Sequence, residues 1–156
     1  MTYEKLGKLI ISSENTMYRT AFAILQNSED AADAIQESIA RAFSKLDSLQ
    51  EYRFARTWLI RILINECYDQ RRRKSHVVSL ETVPEVPDTN REEYSELYWA
   101  ISRLEEELRV PVILFYVEDY TTRQIAEVLG ISEGAVRKRL YRARAKLKED
   151  LIGLEV

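Results

Sequence analysis

The stretch Thr122–Tyr141, TRQIAEVLGISEGAVRKRLY, has the spacing of two helices joined by a tight turn. Ala126, the fifth residue, is small enough for two helices to cross closely, and Gly130, the ninth, suits the left-handed backbone of such a turn. Ser132 is placed to cap the second helix, and Val136 is placed to pack back onto the first. The pattern predicts a helix-turn-helix, a motif that lays its second helix in the major groove of DNA.

The second helix is predicted to continue past the motif, with an apolar stripe of Val136, Leu140, Ala143 and Leu147. Seven basic residues and no acid lie between Arg137 and Lys148, whereas a merely solvated helix usually mixes both signs. Arginine and lysine on such a face can pair with guanine edges or phosphates. The predicted DNA-binding residues are Ser132, Glu133, Gly134, Arg137, Lys138, Tyr141 and Arg142.

Composition favours a helical chain. The 156 residues are 46% hydrophobic and 31% charged, with only 4 glycines and 3 prolines, so there are few helix breakers. The net charge of -3 argues against nucleic-acid binding, but the charge is unevenly distributed. The basic residues cluster over 137–148, whereas residues 92–107 carry six acids against one arginine. Local charge, not the sum, steers a polyanion.

The chemistry-bearing residues exclude several site types. Cys67 lies in an apolar run and is predicted to be a core residue, and with a single histidine, His76, it forms no zinc-ligand cluster. We expect no metal and no other cofactor. No apolar stretch approaches the roughly 18 residues that a membrane span requires, so we expect no membrane insertion and a cytoplasmic protein.

Periodicity predicts an all-α fold of two small helical domains, residues 1–74 and 92–156, joined by an extended linker over 75–91 that contains Pro84 and Pro87. In the first domain we expect one or two helices over 3–27, a helix capped near Asn27 or Ser28 that ends near Leu46, and a loop over 47–56. Thr57 is predicted to cap a third helix that ends near Arg73. In the second domain a break is predicted at Val110–Pro111.

Two further blocks carry a family resemblance. Residues 30–43 read DAADAIQESIARAF, and residues 57–73 read TWLIRILINECYDQRRR. Both resemble region 2 of extracytoplasmic-function (ECF) sigma factors of RNA polymerase, and residues 97–151, including the helix-turn-helix, resemble region 4. The departures are Leu104-Glu105, where Leu-Pro is usual, and Ser38-Ile39, where Thr-Phe is common. Regions 1.1 and 3 of larger sigma factors have no counterpart, which favours the minimal ECF group.

The resemblance implies a role for each block. The helix over 31–43 would dock on the clamp helices of the polymerase β′ subunit through four polar residues: Asp33, Gln36, Glu37 and Arg41. The following loop and helix would read and open the −10 promoter element, for which stacking surfaces and cations are needed. The residues expected there are Gln50, Tyr52, Arg53, Arg56, Arg61, Asn65, Arg71, Arg72 and Arg73.

The remaining implied partners follow from the same family. The helix-turn-helix would bind the −35 element of promoter DNA, the polymerase β flap would be a second docking site on core RNA polymerase, and an anti-sigma factor would hold the protein inactive. Of the aromatic residues near the −10 block, we interpret Trp58 as core and Tyr52 as the better stacking candidate.

Two alternatives belong to other functional classes. A stand-alone helix-turn-helix transcriptional regulator would share the DNA-binding motif and would bind its operator without polymerase. An enzyme is disfavoured because the chain has no Gly-rich phosphate loop, no Ser/His/Asp set and no paired carboxylates with a nearby base. We expect a protein that is not an enzyme.

Overall fold

The computed structural model describes residues 1–74 and 95–154, and these residues form eight α-helices and no strand. The helices are α1 (Tyr3–Ser12), α2 (Glu14–Leu25), α3 (Ser28–Ser44), α4 (Ala55–Lys74), α5 (Ser95–Arg103), α6 (Glu106–Val112), α7 (Thr122–Leu129) and α8 (Glu133–Leu154). Two 3-10 turns, Leu46–Ser48 and Tyr52–Phe54, connect α3 to α4, and a π turn, Ile113–Val117, extends α6. The linker predicted over 75–91 lies outside the described residues. Among those that are described, no helix is both long and apolar enough to cross a bilayer.

Local signals fix several helix ends as predicted. Residues 3–27 form two helices, and Asn27 caps α3 because its side-chain oxygen accepts a hydrogen bond from the Asp30 amide at 2.9 Å. Gln26 ends α2 in the left-handed region, with φ of 49°, and turns the chain into α3.

Thr57 does not cap α4, contrary to the prediction. The helix begins at Ala55, directly after the 3-10 turn, and the Thr57 hydroxyl instead donates to the Phe54 carbonyl at 3.0 Å. The 3-10 turn has already brought Ala55 into helical backbone, with φ of -59° and ψ of -40°, so the helix needs no separate cap at 57.

The break predicted at Val110–Pro111 is also wrong. Pro111 lies inside α6, and the chain breaks earlier, between Arg103 and Glu106. Val110 and Pro111 are both buried, so tertiary packing overrides the local preference of a residue before proline. A π turn, Ile113–Val117, follows α6 directly.

The two halves of the described chain pack on each other. The N-terminal half (residues 1–74) is a bundle in which α2, α3 and α4 contact one another, and in the C-terminal half (residues 95–154) α8 packs on α5, α6 and α7. Between the halves α2 packs on α6 and the π turn, and α4 packs on α7, so that one hydrophobic core runs through both. The sequence had left this arrangement open.

The two residues predicted to be core, Cys67 and Trp58, differ in burial. Cys67 is a free, fully buried thiol, and burial raises its pKa to about 12. Trp58 is only partly buried: its ring packs against the core while the indole N–H donates to Ser48 Oγ at 3.2 Å. The side chain therefore ties the connection after α3 to α4.

Candidate nucleic-acid interface

The helix-turn-helix forms as its sequence predicts. Gly130 adopts φ of 69°, and its amide donates to the Ala126 carbonyl at 2.9 Å. Ser132 Oγ accepts from the Ala135 amide at 3.1 Å and so caps α8. A capping box that was not predicted begins α7, where Thr121 and Gln124 exchange hydrogen bonds. Its signal in the sequence is the spacing of Thr and Gln three residues apart.

The candidate −35 face of α8 is open to solvent. Val136, Leu140 and Ala143 are buried on the opposite side of the helix, as predicted. Arg137, Lys138 and Arg142 are exposed, and Tyr141 is 72% exposed, an unusual degree for an aromatic side chain. Glu133 pairs with Arg137 across one turn at 3.3 Å, Gly134 is half-buried and Ser132 is exposed. The face thus combines donors, one free aromatic ring and little side-chain bulk near its start, which suits entry into a major groove.

A second group of predicted residues lies on the connection between α3 and α4. Gln50, Tyr52, Arg53 and Arg56 are exposed. Arg53 pairs with Glu51 at 2.6 Å and lies 4.8 Å from the centre of the Phe54 ring, and Lys5 of α1 lies 5.6 Å from the Tyr52 ring centre. Exposed rings with adjacent cations are what stacking on unpaired bases requires.

Arg61 and Asn65 follow on the exposed side of α4, but Arg61 also contacts the other half. Its guanidinium donates to the Glu127 carbonyl of α7 at 2.7 Å. A shallow cavity of about 380 Å³ separates the α3–α4 connection from α7, with Gln50 and Trp58 on one side and Val128 on the other. In this arrangement α7 thus borders the candidate −10 surface.

The basic end of α4 is neutralised by acids. The four cations have these partners: Arg71 with Glu106, Arg72 with Asp69, Arg73 with Glu66 and Lys74 with Asp30. Glu106 lies on α6, so the pair with Arg71 joins the two halves. Phosphate contacts at this end of α4 would compete with the existing pairs.

Of the four polar residues expected on the docking face of α3, three are exposed. Asp33, Gln36 and Glu37 are exposed. Arg41 was expected to be exposed with them, but it is half-buried, because its guanidinium turns toward α4 and lies 3.0 Å from the buried carboxylate of Glu66. Sequence periodicity places a residue on a face and cannot reveal such a partner on another helix.

The C-terminal half also contains an apolar groove that was not predicted. It measures about 800 Å³ and runs between α5, the π turn and α8. Leu97, Ile101 and Leu147 line it, and Arg144 and Lys148 are exposed at its rim. Tyr116 accepts a hydrogen bond from Arg144 at 3.0 Å. In the sequence the groove is indicated only by apolar residues outside the α8 stripe that have no predicted packing partner, such as Leu97.

Comparison with known proteins supplies the family. Residues 9–77 match the model of Sigma-70 region 2, and residues 94–147 match that of Sigma-70, region 4. The chain is 31% identical over 151 residues to RNA polymerase sigma factor SigV of Bacillus subtilis, an alignment that covers 91% of each protein. The chain belongs to the RNA polymerase sigma factor family.

Other relatives narrow the group and agree in fold. The ECF RNA polymerase sigma factor SigM of Mycobacterium tuberculosis is 34% identical over 135 residues, covering 84% of this chain and 69% of SigM. The sigma factor RpoE of Bartonella quintana, solved in complex with the anti-sigma factor NepR, superposes with a TM-score of 0.82 at 24% identity and covers 95% of this chain and 97% of that one. The protein is thus an ECF-type sigma factor, an all-α initiation factor for RNA polymerase.

Proposed function

We propose that this sigma factor reads promoter DNA with two surfaces of its own. The exposed face of α8, with Arg137, Lys138 and Arg142, binds the −35 element. The α3–α4 connection and the exposed side of α4, with Tyr52 and Arg61, bind and help to open the −10 element. The observation that carries the proposal is the α8 face: an exposed, acid-poor stripe with a free aromatic ring on a correctly formed helix-turn-helix.

The closed packing of the two halves has to open for this to happen. A 156-residue chain packed as one body has a radius of gyration of about 15 Å. Promoter elements roughly 25 base pairs apart are separated by about 85 Å along the DNA, at about 3.4 Å per pair. One compact body cannot reach both elements. In addition, Arg61 and Arg71 are held by the C-terminal half while the chain is closed.

Polar groups buried at the interface between the halves have lost their hydration, and opening the chain would restore it. The Arg109 guanidinium is buried, donates to the backbone carbonyls of Ala23 and Leu104, and has its pKa lowered by burial. The buried Tyr120 hydroxyl has no hydrogen-bond partner among the described residues, and an apolar cavity of about 90 Å³ remains beside α2. Each unpaired buried polar group costs about 1–3 kcal/mol.

Core polymerase is the partner that would hold the open form. Asp33, Gln36 and Glu37 of α3 present an exposed polar face for the β′ clamp helices. The apolar groove of the C-terminal half, rimmed by Arg144 and Lys148, suits an amphipathic helix such as the β flap could offer. An anti-sigma factor is proposed as the inactivating partner, since the RpoE neighbour of the same fold was solved with one. The protein works by binding and not by catalysis.

Promoter-specific transcription with purified core polymerase tests the proposal. Transcripts that start correctly only when this protein is added are expected, and Arg137→Ala or Lys138→Ala should weaken −35-dependent initiation by about 1–3 kcal/mol if the contact is to a base edge. Lys146→Ala removes the same charge farther along α8 and is the matched control.

Two results would count against the proposal. If the protein alone footprints DNA tightly and yields no transcript from a pool of promoter fragments, a stand-alone helix-turn-helix regulator takes its place. If Arg137→Ala lowers initiation equally at promoters with and without the −35 sequence, the contact is to phosphate and not to a base.

A further inference from the structure

Glu66 is a fully buried carboxylate on α4, with 0% of its side chain exposed. One carboxylate oxygen accepts a hydrogen bond from Arg73 at 3.0 Å. The other lies 3.0 Å from a guanidinium nitrogen of Arg41, an ion pair outside hydrogen-bonding angles. Burying a charge costs free energy that an apolar side chain of the same size would not, so a buried ion pair is weak evidence for a stabilising role. The positions of the two arginines around Glu66 say more about its role.

The two arginines that Glu66 holds lie beside the two surfaces proposed above, and both were expected from the sequence to take part in binding. Arg41 lies on α3, on the face proposed to dock on polymerase, and Arg73 lies in the basic end of α4, proposed to bind −10 DNA. Neither side chain is fully covered: the Arg73 side chain is 61% exposed, and the Arg41 side chain, which turns toward α4, is 35% exposed. Each guanidinium has five N–H donors, and the contact with Glu66 engages only some of them.

Neighbouring carboxylates do not duplicate this arrangement. Asp69 lies 3.7 Å from Arg41 and pairs with Arg72, and Glu37 lies 3.7 Å from Arg41; both are partly or largely exposed. Among the described residues only Glu66 is both buried and in contact with arginines of the two surfaces. Its position is fixed by the packing of α4 against α3.

We propose that Glu66 is a positioning residue, which orders Arg41 for polymerase and Arg73 for −10 DNA and so ties the two binding surfaces to one buried charge. This rests on the proposed function. Long arginine side chains lose considerable rotamer freedom when they bind, and a charge that orders them beforehand removes part of that loss from the binding step.

The test uses the full chain with Glu66→Gln, which keeps the shape and removes the charge. Affinity for core polymerase is measured by competition binding, and the rate of promoter opening is measured by fluorescence of a base analogue in the −10 element. We expect both to fall on the order of fivefold, within the range of coupling between contacting residues. Asp69→Asn removes a more exposed carboxylate near the same Arg41 and should change either quantity less than about twofold.

Double-mutant cycles separate positioning from mere structural support. In an Arg41→Ala background Glu66→Gln should cause no further loss of polymerase affinity, and in an Arg73→Ala background no further slowing of promoter opening. Losses that add in full in both backgrounds, or a Glu66→Gln variant with unchanged binding and opening, would overturn the positioning role. If Arg41→Ala and Arg73→Ala alone have no effect, the proposed surfaces themselves are wrong.

Thermal melting shows whether each variant is folded. Should Glu66→Gln fail to fold, Glu66→Asp replaces it in the same cycles, since it keeps the charge and withdraws it by one methylene. Intermediate losses that vanish in the Arg41→Ala and Arg73→Ala backgrounds support the role, and additive losses overturn it.

Discussion

Glu118 offers the most direct way to open the two halves. Its side chain is 4% exposed and follows the π turn of the C-terminal half. One carboxylate oxygen accepts from the Thr16 hydroxyl at 2.6 Å and the other pairs with Arg19, and both partners lie on α2 of the N-terminal half. Because the carboxylate is buried and has two donors on α2, Glu118 is the main polar link between α2 and the π turn among the described residues.

Replacing this carboxylate by an amide, Glu118→Gln, should favour the open form. The amide oxygen can still accept from Thr16, but the charge that attracts Arg19 is lost. A hydrogen bond to a charged group contributes about 1.5–3 kcal/mol. Because the Arg19 side chain is 40% exposed, solvent screens part of that, and we expect a loss of about 1–2 kcal/mol. The ratio of open to closed molecules should then rise by roughly 5- to 30-fold.

Single-molecule energy transfer measures that ratio. Dyes are attached to cysteines introduced at the exposed positions Ser44 and Glu149, one in each half, in a Cys67→Ala background. Affinity for core polymerase is measured in parallel and should rise with the open fraction, because a binding-competent state that is rarely populated lowers apparent affinity.

The control is Glu107→Gln, which removes an exposed carboxylate that pairs with Arg139 at 3.5 Å within the C-terminal half. It should leave energy transfer unchanged. Glu118 does not hold the halves together if Glu118→Gln also leaves energy transfer unchanged in a correctly folded protein, or if Glu107→Gln opens the chain just as far.

Two further predictions concern stability. Burial raises the pKa of the Cys67 thiol to about 12, so the folded state holds this proton more tightly than the unfolded state, and stability should fall as pH rises from about 9 toward 12, by up to about 4 kcal/mol from this group. Urea unfolding at pH 8 and pH 11 should therefore show a smaller alkaline loss in Cys67→Ala, and an equal loss in both proteins would exclude the thiol as its source. Gly130→Ala meets no atom within 4 Å, but it must adopt φ of 69°, so we expect about 1–2 kcal/mol of destabilisation by thermal melting. Gly7→Ala, in equally open space within α1, should instead stabilise by about 0.5–1 kcal/mol, and a loss there would contradict the backbone explanation.

Local sequence sufficed wherever a structural requirement is met by residues a few positions apart. The turn at Gly130 and the caps at Asn27 and Ser132 were predicted and form, and the predicted stripe of α8 is buried at Val136, Leu140 and Ala143 but only partly at Leu147. In each case the hydrogen bond or the packing repeat lies within one or two helical turns, so the residues themselves specify it. The resemblance of residues 30–43, 57–73 and 97–151 to sigma regions 2 and 4 was likewise legible in the sequence, and the comparisons confirm the family.

The tertiary structure decided what depends on residues far apart in the chain. Pro111 stays helical because both it and Val110 are buried. Arg41 turns toward α4 because its partner, the buried Glu66, lies on that helix. Arg61 and Arg71 are held by contacts with the C-terminal half. The sequence alone determined two helical modules and the chemistry of their surfaces. Only the fold decided that the modules close on each other, because that choice depends on burial and charge pairing between helices, which no local pattern records.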